Sequence, residues 1–306
     1  MEKPLHENLH KLSFEENQAI FERIKSDVLK NQISQIHPQC VILGGPPASG
    51  KSTIADPLIT DEVVWINIDE LRQRHPSWDS LNMMNDKYTA FYTNADAGIW
   101  YEQLIRECVA NKFHIIIENT FGNKDICLYL CDNLFQAGYD VHIKSMVVSY
   151  DKILLGSYKR YEINKAGTGY GRFVLPYSID DAYKKFPGTI IALQKQDKVK
   201  TIELHSRSEP IFTGEYHAAQ FDEMIYNERI KNNTIDDKYF VTDGWAEVFR
   251  LMKNRNASRR EFGFLSDRLE FCIQLMKEEK YPEENIHLIS NIHQQYKKDL
   301  LTCNHE

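Results

Sequence analysis

Eight consecutive residues, Gly45-Pro46-Pro47-Ala48-Ser49-Gly50-Lys51-Ser52, carry the strongest chemical signal in the chain. They fit G-x-x-x-x-G-K-[ST], a loop whose backbone N–H groups point at phosphate oxygens, and they follow an apolar run and precede a helical pattern, as such a loop must. In that setting Lys51 would reach the β and γ phosphates of a nucleoside triphosphate, and the Ser52 hydroxyl would ligate Mg²⁺. Thr53 completes the nucleotide-binding stretch, and the helix N-terminus adds partial positive charge. Pro46 and Pro47 remove two donors, but both precede the part of the loop nearest the lysine. With glycine at only 14 of 306 positions, a chance match is rare. The plain alternative is a glycine turn between a strand and a helix.

The loop alone does not choose among kinases, motors and switch GTPases. The chain has no Asp-x-x-Gly and no Asn-Lys-x-Asp, which speaks against a guanine-reading switch, and it lacks the length and repetition of a motor. A phosphotransferase with a bound acceptor is the leading class. Downstream, "INIDELRQRHP" puts Asp69 at the carboxyl end of an apolar run, where open α/β sheets place their sites. A carboxylate there could take the proton of an acceptor hydroxyl; equally, Asp69 could cap the helical turn that follows. "FHIIIENTF" brings Glu118 and Thr120 to a similar edge, as a metal or water ligand or a partner for a sugar hydroxyl. Glu102, inside a helical pattern, reads as acceptor-binding or as a solvated carboxylate. Arg160 and Arg172, around a glycine-rich segment, suit a lid that braces a transferring phosphoryl group, or else are surface arginines.

The elements that must position these groups follow from periodicity. Residues 14–35 predict an amphipathic helix, with Ser13 and Glu16 as a capping box. Apolar runs at 40–43, 63–68, 113–118 and 141–148 alternate with helical patterns near 52–59, 86–111, 123–137 and 151–164. A further helix is predicted at 178–195 and a fifth strand at 199–205. The alternation predicts an α/β fold, a mostly parallel sheet flanked by helices. Beyond about 215 the pattern is helical, through 215–231, 244–254 and 260–280. The composition shift near 232–237 divides the chain into a kinase domain, 1–234, and a helical C-terminal extension, 235–306.

Composition narrows the partners. Lys plus Arg number 37 against 44 Asp plus Glu, a formal charge of −7, so there is no chain-wide basic field for nucleic acid. The six cysteines form no CxxC pair and read as buried reduced thiols. No segment predicts a membrane span and the start lacks a signal-like pattern, so a cytoplasmic protein is expected, with export as an uncleaved effector the alternative.

Taken in order, "GGPPASGKST", "INIDELRQRHP", Glu102, "IIIENTF", "KRYE" and "GR" resemble the zeta toxin family of P-loop kinases over roughly residues 12–205. The resemblance implies transfer of the ATP γ-phosphoryl, with Mg²⁺, to a sugar hydroxyl of UDP-N-acetylglucosamine, and restraint by an epsilon-type antitoxin that blocks the nucleotide site. It implies Asp69 as catalytic base, Lys51 and Ser52 as phosphate and metal contacts, and Arg160 and Arg172 as γ-phosphate braces. Asn67, Glu102, Glu118 and Thr120 fall on acceptor-binding positions. The chain departs from the family pattern at Asn67, where an acidic residue is common, at "ENTF" in place of Glu-Gly-Thr, and in the "GTGYGR" loop. A different hydroxyl acceptor (another nucleotide, an antibiotic or a polynucleotide end) and a non-catalytic nucleotide-binding regulator are the other readings.

Overall fold

The computed structural model describes residues 9–215, 221–231 and 235–302. They cluster into two compact units, residues 9–147 with 172–215, and residues 148–171 with 221–231 and 235–302. Residues 148–171, counted within 1–234 in the sequence reading, thus cluster with the C-terminal helices. Residues 216–220, 232–234 and Cys303, which the sequence reading also covered, lie outside the described residues.

The first unit opens with α1, Phe14–Leu29. Its start is fixed by the expected capping box: Ser13 Oγ accepts the Glu16 N–H at 3.2 Å, and the Glu16 carboxylate accepts the Ser13 N–H at 3.0 Å, satisfying donors that a helix start leaves open. Then come β1 (Gln39–Gly44), α2 (Lys51–Ala55, continued by a 3₁₀ turn at Asp56–Leu58), β2 (Val63–Ile66) and α3 (Ile68–Arg72). They are followed by α4 (Trp78–Tyr92), α5 (Asn94–Ala110), β3 (His114–Asn119), α6 (Lys124–Gln136) and β4 (Asp140–Met146). After α7, Tyr150–Thr168, which belongs to the second unit, the chain returns with α8 (Pro176–Gln194), β5 (Thr201–His205) and β6 (Pro210–Glu215).

The sheet order is β2-β3-β1-β4-β5-β6. The first five strands are parallel, and β6 is antiparallel to β5. Ile42, Leu43, Ile115, Ile116, Ile117, Val141 and Ile143 are buried, the near-continuous apolar reading of strands covered on both faces. The expected fold class is therefore the observed one. β6 lies outside the strands read from the sequence because "PIFTGE" carries Pro210 and Gly214, which disfavour an interior strand but are tolerated at an edge. The helix expected at 86–111 is two helices: the chain breaks at Thr93, whose hydroxyl donates to the Thr89 carbonyl at 2.8 Å, and the first of them starts earlier, at Trp78.

A buried polar network ties α1 to α5. The Asp96 carboxylate accepts from Asn17 Nδ2 at 2.7 Å and from the Leu12 N–H at 3.2 Å, while Trp100 Nε1 donates to the Asn17 carbonyl at 3.1 Å. His75, the histidine of the "RHP" run, accepts the Ser77 N–H at Nδ1, so the ring proton sits on Nε2, which faces Asp96 Oδ2 at 3.4 Å.

The second unit holds α7, α9 (Phe221–Tyr226, widening into a π-helical turn at Asn227–Lys231), α10 (Ile235–Asn254), α11 (Arg259–Glu278) and α12 (Glu283–Thr302). Trp245 is fully buried, and the Phe249 and Tyr296 rings stack with centroids 4.3 Å apart. Arg255 spans Glu162 of α7 at 2.7 and 2.8 Å and Glu261 of α11 at 3.0 and 3.2 Å. α12 lies beyond the helices read from the sequence, although its buried Ile286, Ile289, His293 and Tyr296 recur at helical spacing. Among the described residues no helix is long and apolar enough to cross a membrane.

Burial lowers the His75 pKa from its usual value, and Asp96 only partly offsets this. A histidine held neutral in the fold but titrating near about 6.5 when unfolded contributes stability that is complete above that pH and is lost as pH falls through the folded pKa. His142 and His293 are lowered in the same way. The urea midpoint should fall between about pH 7.5 and about pH 5.5, and His75→Gln, which keeps a donor toward Asp96 but does not titrate, should make that fall smaller.

Candidate active site

The loop after β1 has the shape its sequence requires. Gly45, Ala48 and Gly50 take positive φ values of 140°, 61° and 101°, conformations that let successive N–H groups converge on one side. Gly44 and Gly45 are needed for space as well. A Cβ on Gly44 would lie 2.0 Å from the Phe121 ring, and one on Gly45 would lie 2.9 Å from Ser49 Oγ and 3.2 Å from Met146. Lys51 Nζ folds back over the loop and donates to the carbonyls of Gly45 and Pro46 at 2.9 and 3.1 Å. Ser49 is fully buried, and its hydroxyl has no hydrogen-bond partner among the described residues. Ser52 and Thr53 are exposed at the start of α2.

The carboxylates come to the same edge because β2, β3 and β1 run parallel and in register, with Ile66 beside Ile117 and Gly44 beside Asn119. The cap of α3 is Asn67, whose Oδ1 accepts the Asp69 N–H at 2.8 Å. Asp69 therefore stands in the first turn rather than at the cap, and its carboxylate is left for other work. Its Oδ1 accepts from Arg72 Nη1 and its Oδ2 pairs with Arg172. The other end of the Asn67 amide donates to Glu118 Oε1 at 2.9 Å. Glu118 is held above the usual carboxylate range chiefly by burial, with Asp69 pushing the same way and Lys51 and Arg172 opposing it. Lys51, Asp69, Glu118 and Arg172 thus form one electrostatic cluster.

The remaining residues read from the sequence fall as follows. Thr120 is exposed just past β3, where Asn119 Oδ1 accepts the Phe121 N–H at 2.8 Å to turn the chain. Glu102 is exposed on α5, next to Tyr101, whose hydroxyl donates to the Glu118 carbonyl at 2.9 Å. Arg160 is half-buried on α7 of the second unit. Two arginines escape the sequence reading. Arg207, in the β5–β6 turn, donates from Nη2 to the Ala48 carbonyl at 3.0 Å, and no local signal marks it because 159 residues separate the partners. Arg72 had a signal: it stands three residues after Asp69, one helical step away on the same face.

A glycine-rich loop between the central strand and its helix, a lysine folded over that loop and a carboxylate at the end of a nearby parallel strand define the class of P-loop kinases. The chain belongs within that class to the zeta toxin family, whose family model, described as Zeta toxin, matches residues 25–215. It is similar to Toxin zeta of Enterococcus hirae, 23% identical over 270 residues, covering 86% of this chain and 93% of that one. Toxin zeta of Streptococcus agalactiae is 22% identical over 245 residues, 79% of this chain and 85% of its own. Among solved structures, a chain of the PezAT chromosomal toxin-antitoxin system of Streptococcus pneumoniae superposes with a TM-score of 0.68 at 18% identity, covering 80% of this chain and 98% of that chain. A chain of the AvrRxo1-ORF1:-ORF2 complex with ATP gives 0.53 at 10% identity over 78% of this chain and 83% of its own.

Gly45→Ala would combine a strained φ with the contacts to Ser49 and Met146, a local cost of about 1–3 kcal/mol. Binding of a fluorescent ATP analogue should weaken about tenfold or more while the circular dichroism spectrum is unchanged; undiminished binding would contradict the tight-loop account.

Proposed function

We propose that this protein transfers the γ-phosphoryl group of ATP to a sugar hydroxyl of UDP-N-acetylglucosamine or a related nucleotide sugar, with Asp69 as general base. The observation that carries this reading is the cluster of Lys51, Asp69, Glu118 and Arg172 at one sheet edge. It combines phosphate-binding cations with two carboxylates of different character. The buried Ser49 hydroxyl, which has no hydrogen-bond partner among the described residues, and the positive φ values of Gly45, Ala48 and Gly50 fit a loop built around a phosphate chain.

On this reading Lys51 leaves its two carbonyls for the β and γ phosphates, and Gly45–Thr53 line the phosphates. Ser52 would hold Mg²⁺ together with phosphate oxygens. No three His, Cys, Asp or Glu side chains converge on a metal position among the described residues, and a small hard cation bound through phosphates needs none. When bound, the ion would supply neutralisation of phosphate charge. Asp69 takes the proton of the acceptor hydroxyl as its oxygen attacks phosphorus in line and the bond to the ADP oxygen breaks. Arg172 turns from Asp69 to the developing charge on the transferring group, and the family resemblance assigns Arg160 the same task.

Glu118, Asn67, Thr120 and Glu102 are the acceptor contacts on this reading. Burial holds the Glu118 carboxyl above its ordinary range, and its oxygens are placed to accept from a sugar hydroxyl. An antitoxin-like protein that covers the nucleotide site is the proposed restraint. This follows the family and the PezAT toxin-antitoxin likeness.

The test is incubation with ATP, Mg²⁺ and UDP-N-acetylglucosamine, read by mass spectrometry for a sugar nucleotide heavier by one phosphate. Wild type should give that product, and Asp69→Asn should lower the rate by about 10²-fold or more with ATP still bound. Wild-type turnover in Asp69→Asn would remove the base assignment, and no product from wild type would remove the acceptor.

A further inference from the structure

The geometry points to Arg72 as a positioning residue that holds the catalytic base through the whole reaction, while Arg172 is its exchangeable partner; the inference rests on Asp69 being the base. The two carboxylate oxygens are divided. Oδ1 goes to Arg72, on the same short helix, and Oδ2 to Arg172, on the segment leading into α8. A base must present one oxygen to the acceptor hydroxyl. The partner that can leave is Arg172, which has a second task at the γ-phosphate and comes from a separate segment of chain.

Arg72 cannot leave as readily. Its guanidinium is braced at both ends, with Nη1 on Asp69 and Nη2 on the Asn94 side-chain carbonyl at the first residue of α5, and the side chain is only 14% exposed. A planar fork between two acceptors fixes direction as well as distance. The backbone on the other side is fixed by the Asn67 cap. Asp69 is thus held from its main chain and from one oxygen, leaving Oδ2 to face the acceptor.

The charge around the base follows from the same contacts. Facing Asp69 are Arg72 on its own helix, Arg172 from the segment before α8, and Glu118 on β3, itself under the influence of Lys51. α5, packed against α3, brings uncharged Asn94, while the charge of Asp96 is spent on Asn17 and His75. Once Arg172 turns to the phosphate, Arg72 stays in contact with the carboxylate as a cation. It opposes Glu118 and favours the ionised base. Loss of Arg72 then makes the base harder to ionise, so the acid limb of the kcat profile moves to higher pH.

The experiment compares wild type, Arg72→Met, Arg72→Lys and Asp69→Asn in the full chain, measuring kcat and the KM for ATP against pH with UDP-N-acetylglucosamine as acceptor. Arg72→Met should lower kcat about 10²-fold, leave the KM for ATP within about twofold, and move the acid limb upward. Arg72→Lys should restore the limb but only part of the rate, because an ammonium supplies the charge without bridging two acceptors. A limb and kcat matching wild type in Arg72→Met would overturn the inference, and so would a drop in thermal midpoint with the limb unmoved. If Asp69→Asn turns over like wild type, the base reading itself has failed. If Asp69→Asn is dead and Arg72→Met is normal, only the present inference has. A carbon-13 NMR titration of labelled aspartate carboxyls with ATP bound, the Asp69 signal assigned by its loss in Asp69→Asn, needs no acceptor. It should show Asp69 titrating at higher pH in Arg72→Met, and an unmoved signal would overturn the inference even if UDP-N-acetylglucosamine is not the substrate.

Discussion

The parallel register of β2, β3 and β1 is the constraint on which the site depends. With Ile66 beside Ile117 and Gly44 beside Asn119, the chain leaves three neighbouring strands at one level, and the phosphate loop, Asn67 and Glu118 have no other place to go. A slip of one residue in β3 would turn Glu118 to the opposite face of the sheet and break its bond with Asn67. The register is held by burial on both faces of the isoleucine run in β3 and by the Phe121 ring, which fills the space over Gly44. The geometry of the candidate site and the packing of the core are here the same contacts.

Asn67 turns that register into chemistry. Its amide is used at both ends, Oδ1 capping α3 and Nδ2 holding Glu118, so its orientation is fixed by two unlike partners. An acidic residue at this position could still cap the helix but would set a second carboxylate against Glu118. Like charges at hydrogen-bond distance force one of the two to remain protonated. In this chain the amide leaves Glu118 governed by burial, by Asp69 and by the cations Lys51 and Arg172. The amide therefore changes the electrostatics around Glu118 while leaving Asp69 where it stands.

What could be read from the sequence was what local rules determine. The phosphate loop, the five parallel strands as apolar runs and the Ser13–Glu16 cap each depend on a few adjacent residues, and each matches the structure. Whether Asp69 caps the helix could not be told from sequence, because Asn67 and Asp69 are both good caps; the bond from the Asp69 N–H to the Asn67 side chain makes Asn67 the cap. Arg207 was beyond reach for a different reason, as its partner carbonyl is set by the fold of the β5–β6 turn. Glu102 carried a position but no environment, and the exposed face it occupies on α5 is a matter of helix rotation rather than of residue type.

Every cation that the proposed reaction draws from the first unit already has an internal partner before nucleotide arrives, and the partners differ in kind. Lys51 donates to two neutral carbonyls, bonds that a multiply charged phosphate exceeds readily, and lies in the field of Glu118. Arg172 rests on the carboxylate of Asp69, so moving it to a phosphate exchanges one anion for another and leaves Asp69 a cation poorer. On the proposed reading the same motion unmasks the base and delivers the brace. A hydroxyl arriving before ATP would then meet an aspartate whose Oδ2 is still paired, which ties activation of the acceptor to the presence of the group it attacks. The charge on Asp69 during that exchange has to be held by something that does not leave, and Arg72, anchored on Asn94, is placed to hold it.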